Sequence, residues 1–186
     1  MLKLTRIVVF TFLCLLLISC HSRFNPSNEA TVLKVIDGDT FVVLFHGREE
    51  KVRLLGVDTP EKCRSRKLKR DASRCKVAED RILKLGIEAT RYTKELIHKG
   101  DRIYLEVRGR GYYGRPLVLD YFKDGTCYNK KIIAGGYACV YKYRGKKSKQ
   151  LSRDEFLELM KLLDEAEAHK RGLWKIDSEV MTYLCK

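Results

Sequence analysis

The 186-residue sequence predicts an α+β fold of five short strands and about three helices. Three observations carry this. Residues 31–57 alternate apolar runs with turn residues and read as a three-strand meander. Residues 79–98 and 152–170 place apolar side chains at i, i+3, i+4 spacing, as helices that bury one face do. Two further strand-like runs (102–108 and 117–122) and a short helix (129–134) lie between them. A meander leaves open edges, and closure into a barrel is one way to remove them.

Residues 1–19 precede that domain. Lys3 and Arg6 open a segment that is apolar from 7 to 18 except for Thr11. It is shorter than the roughly 20 residues a spanning helix needs and has the plan of a secretory leader. Its end, Leu17-Ile18-Ser19-Cys20, resembles the lipobox of bacterial lipoproteins. That likeness implies cleavage before Cys20, lipid on its sulfur, and a domain exported and anchored to the bacterial membrane, periplasmic or at the cell surface. An ordinary secretory signal, giving a secreted protein, and a short uncleaved anchor are the competing readings. Residues 20–30 then form a tether starting at the lipidated cysteine, whose last ten residues reach at most about 35 Å. The domain spans 31–176, and 177–186 read as a tail.

The chain carries 38 Lys and Arg against 24 Asp and Glu, a formal net charge of +14. Loss of residues 1–19 removes Lys3 and Arg6 and no acid, leaving +12. Such a basic domain favours polyanions, either nucleic acid or an anionic membrane surface.

The meander holds the chemistry. Residues 31–36 form the first strand, and Asp37-Gly38 turns the chain. Asp37 reads as a turn former. Counted from it, the glycine and glutamate of an EF-hand loop are missing. Residues 40–46 and 50–57 are the next strands, reversing at His46-Gly47-Arg48. Facing residues across this hairpin have numbers summing to about 96 or 97, which sets Asp39 opposite Val57 or Asp58. Two carboxylates about 5 Å apart repel, unless a cation lies between them. A hard divalent ion with oxygen ligands is the natural candidate.

Residues 62–76 (KCRSRKLKRDASRCK) hold eight bases and one acid and read as a solvated loop that attracts phosphates at long range. Cys63 and Cys75 bracket it. Their pairing is the expected disulfide, stabilising by about 3 kcal/mol in the chain-entropy model. Cys127, Cys139 and Cys185 are odd in number and their pairing is unreadable. Zinc is the competing reading, but no C-x2-C pair supports it.

Helix 79–98 buries Ile82, Leu85, Ala89, Thr93, Leu96 and Ile97, with Gly86 as an interruption before Ile87. Strand 102–108 follows, then the turn through Tyr113-Gly114-Arg115, then strand 117–122. On its own Arg115 reads as an ordinary surface residue. Residues 141–153 add six bases with Tyr141 and Tyr143 interleaved, either a base-stacking surface or tyrosines packed on the barrel. Ser152 and Glu155 form a capping box opening the last helix.

IDGDT (36–40), RLLGVDTPE (53–61), YGR (113–115) and the closing GLW (172–174) resemble, in order and spacing, the staphylococcal nuclease (thermonuclease-like) family. The likeness spans residues 30 to 175. It implies a five-stranded OB-fold β-barrel and a Ca²⁺-dependent phosphodiesterase acting on DNA and RNA, single-stranded forms favoured, with 3′-phosphate products. Residue by residue, it implies that Asp39 and Asp58 ligate Ca²⁺ through carboxylates and Thr59 through its carbonyl. It implies that Glu61 orients or deprotonates the attacking water, that Arg53 and Arg115 grip the scissile phosphate, and that Tyr113 lies on the nucleotide side. The segment 61–88 is longer than the family pattern, and the lipobox lies outside it. The alternative is an OB-fold lipoprotein that binds nucleic acid or a partner without cutting; the complete set of acids and arginines favours the enzyme.

Overall fold

The computed structural model describes residues 26–111, 113–141 and 150–186. The leader 1–19, Cys20, the tether to residue 25 and Tyr143 lie outside the described residues.

The five predicted strands close into one barrel. β1 (Glu29–Val35), β2 (Thr40–Phe45), β3 (Arg48–Leu54), β5 (Arg102–Arg110) and β6 (Pro116–Tyr121) are ordered β1-β2-β3-β6-β5. All neighbours run antiparallel except β3 and β6, whose parallel pairing joins the meander to the second hairpin. Alternate residues point inward, so Val32, Phe41, Val43, Val52, Leu54, Ile103 and Leu105 are fully buried. β4 (Val57–Asp58) pairs outside the barrel with β7 (Cys139–Val140).

The hairpin register differs from the expected one. His46 and Gly47 both take positive φ (50° and 74°), as a two-residue I′ turn requires. Phe45 therefore faces Arg48 and Thr40 faces Arg53, partner numbers that sum to 93 rather than about 96 or 97. The Asp39 carbonyl accepts the Leu54 N–H at 2.9 Å, so Asp58 is not its cross-strand neighbour. The chain reverses again at Gly56, φ 74°, and brings Asp58 back on β4.

Six α-helices pack around the barrel among the described residues, more than the three expected: α1 (Arg66–Cys75), α2 (Glu79–Leu96), α3 (Tyr128–Ala134), α4 (Arg153–Ala168), α5 (Leu173–Ile176) and α6 (Ser178–Cys185). The basic stretch read as a loop is mostly α1. Ser65 caps it by accepting the Leu68 N–H, and Leu68, Ala72 and Cys75 bury a narrow inward stripe. α2 runs unbroken through Gly86. The capping box of α4 is present on both sides, Ser152 to the Glu155 N–H and Glu155 back to the Ser152 N–H.

The cysteine pairing also differs. Cys63 is exposed and free, and Cys75 is free and buried on the inner face of α1. The disulfide joins Cys139 to Cys185, 46 residues apart. Val180, Met181 and Cys185 of α6 are buried, so the stretch read as a tail is fastened to the domain.

Candidate active site

The site is built where β1 turns into β2 and β3 turns into β4. Asp37 performs the turn, its Oδ1 accepting the Asp39 N–H at 3.2 Å. Burial, then the adjacent Asp39 carboxylate, pushes its carboxyl up to about 6. Asp39 is 2% exposed and both its oxygens are engaged. Oδ1 accepts from Arg53 Nη1 at 2.7 Å and Thr40 Oγ1 at 2.9 Å. Oδ2 accepts from the Thr59 N–H at 2.9 Å and Thr59 Oγ1 at 3.1 Å. Gly38 allows this closeness, since a Cβ there would meet Thr59 Cγ2 at 2.5 Å.

The sequence reading brought Asp39 and Asp58 together across a hairpin; the structure brings them together through Arg53. Its Nη1 donates to Asp39 and its Nη2 to Asp58 Oδ1 at 2.8 Å and to the Val57 carbonyl at 3.2 Å. Only a planar, fixed fork serves two carboxylates this way. The Tyr141 ring lies over the same guanidinium at 5.9 Å.

Burial alone would raise the Asp39 carboxyl, but Arg53 and the Thr59 and Thr40 donors outweigh it and hold it below the usual range. Asp58 goes the other way: burial and the nearby Asp39 raise it against the pull of Lys67 and Arg53. Two neighbouring carboxylates are thereby given opposite tendencies, a common trait of reactive sites.

Glu61 follows Pro60 on the same wall. Ser65 Oγ donates to its Oε2 at 2.9 Å while capping α1 at 3.0 Å, so the start of α1 fixes this carboxylate. α2 presses on the backbone behind it. A Cβ on Gly86 would lie 2.4 Å from the Glu61 carbonyl and 2.6 Å from the Lys62 nitrogen.

Lys67, on the first turn of α1, reaches into the cleft. Its Nζ lies 3.2 Å from Glu61 Oε1, 3.3 Å from Asp58 Oδ1 and 3.4 Å from the Thr59 carbonyl. Burial disfavours its charge, but Asp58, Glu61 and Asp39 overcome this and raise its pKa, so it stays an ammonium. Three of the oxygens assigned to Ca²⁺ or water thus face one positive charge. Carboxylate and carbonyl oxygens gathered this way suit a hard divalent cation. Asp39 fits it less directly, because four donors already use its oxygens.

Arg115 lies just ahead of β6. It stands two residues before Leu117, which pairs with Arg53. Arg115 lies 5.7 Å from the ring centre of Tyr113, which is 78% exposed. A cavity of about 240 Å³ opens beside the cleft, lined by Asp58, Lys67, Arg70, Arg74 and Tyr141 among others.

Three contributors were not read from the sequence: Lys67, Ser65 and Gly86. Ser65 carried a signal as a cap candidate ahead of Leu68. Lys67 was one base among eight, and Gly86 looked only like a weak point in a helix.

The chain matches the family model for staphylococcal nuclease homologues over residues 51–176. It is similar, at 30% identity over 143 residues, to an uncharacterized endonuclease of Escherichia coli O157:H7, covering 77% of this chain and 74% of that one. It is 31% identical over 152 residues to endonuclease YncB of Bacillus subtilis, covering 78% of this chain and 61% of the relative. Thermonuclease of Staphylococcus hyicus is 29% identical over 123 residues, 64% of each chain.

Proposed function

The chain belongs to the staphylococcal nuclease family and is a nuclease of the thermonuclease type, and we propose that it is a Ca²⁺-dependent endonuclease acting on DNA and RNA, single strands favoured, leaving 3′-phosphate ends. One observation carries the proposal: Arg53 ties Asp39 to Asp58 while Glu61, Asp58 and the Thr59 carbonyl face a common cation position.

In this reading Asp58, the Thr59 carbonyl and Asp39 hold the metal side of the cleft. A bound Ca²⁺ supplies charge stabilisation for the phosphoryl oxygens. Arg53 and Arg115 donate to those oxygens, where negative charge builds in the transition state. Glu61, steadied by Ser65, holds the attacking water in line with the departing 5′ oxygen and accepts a proton from it as the new P–O bond forms, while the P–O5′ bond breaks and the 5′ oxygen takes a proton from solvent. Tyr113 offers a ring to the nucleotide beside Arg115. The bases of α1 draw the strand towards the cleft.

The proposal extends to location: Cys20 carries lipid, and the residues between it and β1 hold the domain near the membrane of an oxidising compartment. The Cys139–Cys185 disulfide supports export, since such bonds persist outside the reducing cytosol. Cys20→Ser then shifts the protein from the membrane fraction to the soluble one, and unchanged partitioning would count against the anchor.

The direct test uses the full chain in detergent with single-stranded DNA and RNA oligonucleotides, in Ca²⁺ and in EGTA. Internal cleavage in Ca²⁺ alone, with 3′-phosphate ends, is the expected result. Binding without cleavage under any divalent ion would replace the enzyme by the nucleic-acid-binding reading.

A further inference from the structure

The cation position in this cleft already has an occupant supplied by the chain. Lys67 Nζ stands 3.2 to 3.4 Å from Glu61 Oε1, Asp58 Oδ1 and the Thr59 carbonyl. An ammonium is a compact point charge with three donors, and here it has three oxygen partners. It also has a place to withdraw to. Asp71, one turn further along α1, is 5% exposed and its Oδ2 lies 3.9 Å from the same nitrogen. A small rotation of the flexible lysine stem would exchange Asp58 and Glu61 for Asp71 without moving the helix. The cavity beside the cleft, bordered by Arg70, Asp71 and Arg74, gives room for that movement.

We infer that Lys67 is a tethered competitor for the divalent-cation site: its ammonium neutralises Asp58 and Glu61 when no metal is bound, and metal enters by displacing it towards Asp71. The inference rests on the proposed metal-dependent reading of the cleft. It assigns α1 a role in setting metal affinity. A positive charge in the metal's own position opposes the ion far more strongly than one screened by water. Arg70 supplies that comparison. It lies on the same helix, its side chain is 70% exposed, and its Nε lies 3.7 Å from Asp71 Oδ1.

The test is calorimetric titration of the full chain, in detergent and without nucleic acid, with Ca²⁺. The proteins are the parent, Lys67→Met, Lys67→Gln and Arg70→Met, each also melted in EGTA and in Ca²⁺. Lys67→Met should bind Ca²⁺ at least about tenfold more tightly than the parent, and Arg70→Met should stay within about threefold. In EGTA the Lys67 variants should melt below the parent, because Asp58 and Glu61 lose their counter-charge, and Ca²⁺ should raise their melting temperature more than it raises the parent's. Lys67→Gln keeps the test open if the methionine variant fails to fold. Parental Ca²⁺ affinity in the Lys67 variants, or an equal gain in Arg70→Met, would overturn the competition. Absence of Ca²⁺ binding by all four proteins would overturn the cation-site reading of the cleft, and this inference with it.

Discussion

Gly86→Ala tests whether helix α2 sets the position of Glu61. In an exposed helix the change would add about 1 kcal/mol of stability through helix propensity. Here the new methyl would meet the Glu61 carbonyl carbon and oxygen at 2.4 Å and the Lys62 nitrogen at 2.6 Å. Those atoms are backbone and cannot rotate away, so either α2 or the 61–62 segment must move by about 1 Å to restore ordinary contact. Overpacking of this kind costs about 1 to 3 kcal/mol, which outweighs the propensity gain. Net destabilisation of about 1 kcal/mol follows, a fall of roughly 2 to 4 °C in melting temperature for a domain of this size. The catalytic effect is larger, because a 1 Å displacement of a reacting group can cost about a hundredfold. The assay pairs thermal melting with kcat on single-stranded DNA in Ca²⁺. A folded variant with parental kcat would refute the claim that this glycine places Glu61.

Two further predictions concern stability. Asp120 is completely buried, neither carboxylate oxygen has a hydrogen-bond partner among the described residues, and burial pushes its carboxyl up to about 8. Because the folded value lies above the unfolded value of 3.8, the folded state holds this proton more tightly, and stability is lost as pH rises from about 4 to 8. Asp120→Asn cannot ionise, so its advantage in melting temperature over the parent should widen between pH 5 and 8, and a constant difference would contradict the assignment. Cys185→Ser opens a disulfide of sequence separation 46, worth about 4 kcal/mol in the chain-entropy model. The variant should melt well below the parent and release α6 to proteolysis, and equal protease resistance would show that packing alone holds that helix.

The strands and the capped helix α4 were legible because each has a local signature, and Asp39 drew notice through its expected carboxylate neighbour, whereas the roles given to Arg53, Glu61 and Arg115 came from the family resemblance. Val42 to Phe45 carries a strand composition, and Ser152 with Glu155 announces a helix start. What was missed depends on contacts the sequence does not display. The hairpin register turned on where the strands end: strands over 40–46 and 50–57 set the partner sum near 96 or 97, whereas β2 ends at Phe45, β3 starts at Arg48, and His46 and Gly47 alone turn the chain once a non-glycine residue accepts positive φ. Helix α1 escaped because its buried apolar stripe is only Leu68, Ala72 and Cys75 among many charges. The disulfide needed β7 and α6 to be neighbours, which no spacing rule gives. The pairing of Asp39 with Asp58 was anticipated from a wrong register, yet the physical reason for it held: two carboxylates need a cation, and Arg53 supplies one. Lys67 supplies a second, and only the folded arrangement of α1 reveals it.

If this acidic cleft, with Glu61 on its wall, cleaves phosphodiester bonds, removing the Glu61 carboxylate must slow the chemical step. Single-turnover cleavage of a single-stranded DNA oligonucleotide in Ca²⁺ by Glu61→Gln against the parent, with affinity for the same oligonucleotide measured in parallel, decides this. The variant keeps the shape of the side chain and can still accept from Ser65, but it loses the base. The cleavage rate should fall by about a hundredfold or more while affinity stays within a few-fold. Cleavage at the parental rate would show that Glu61 is not the base and that the cleft does not act as proposed.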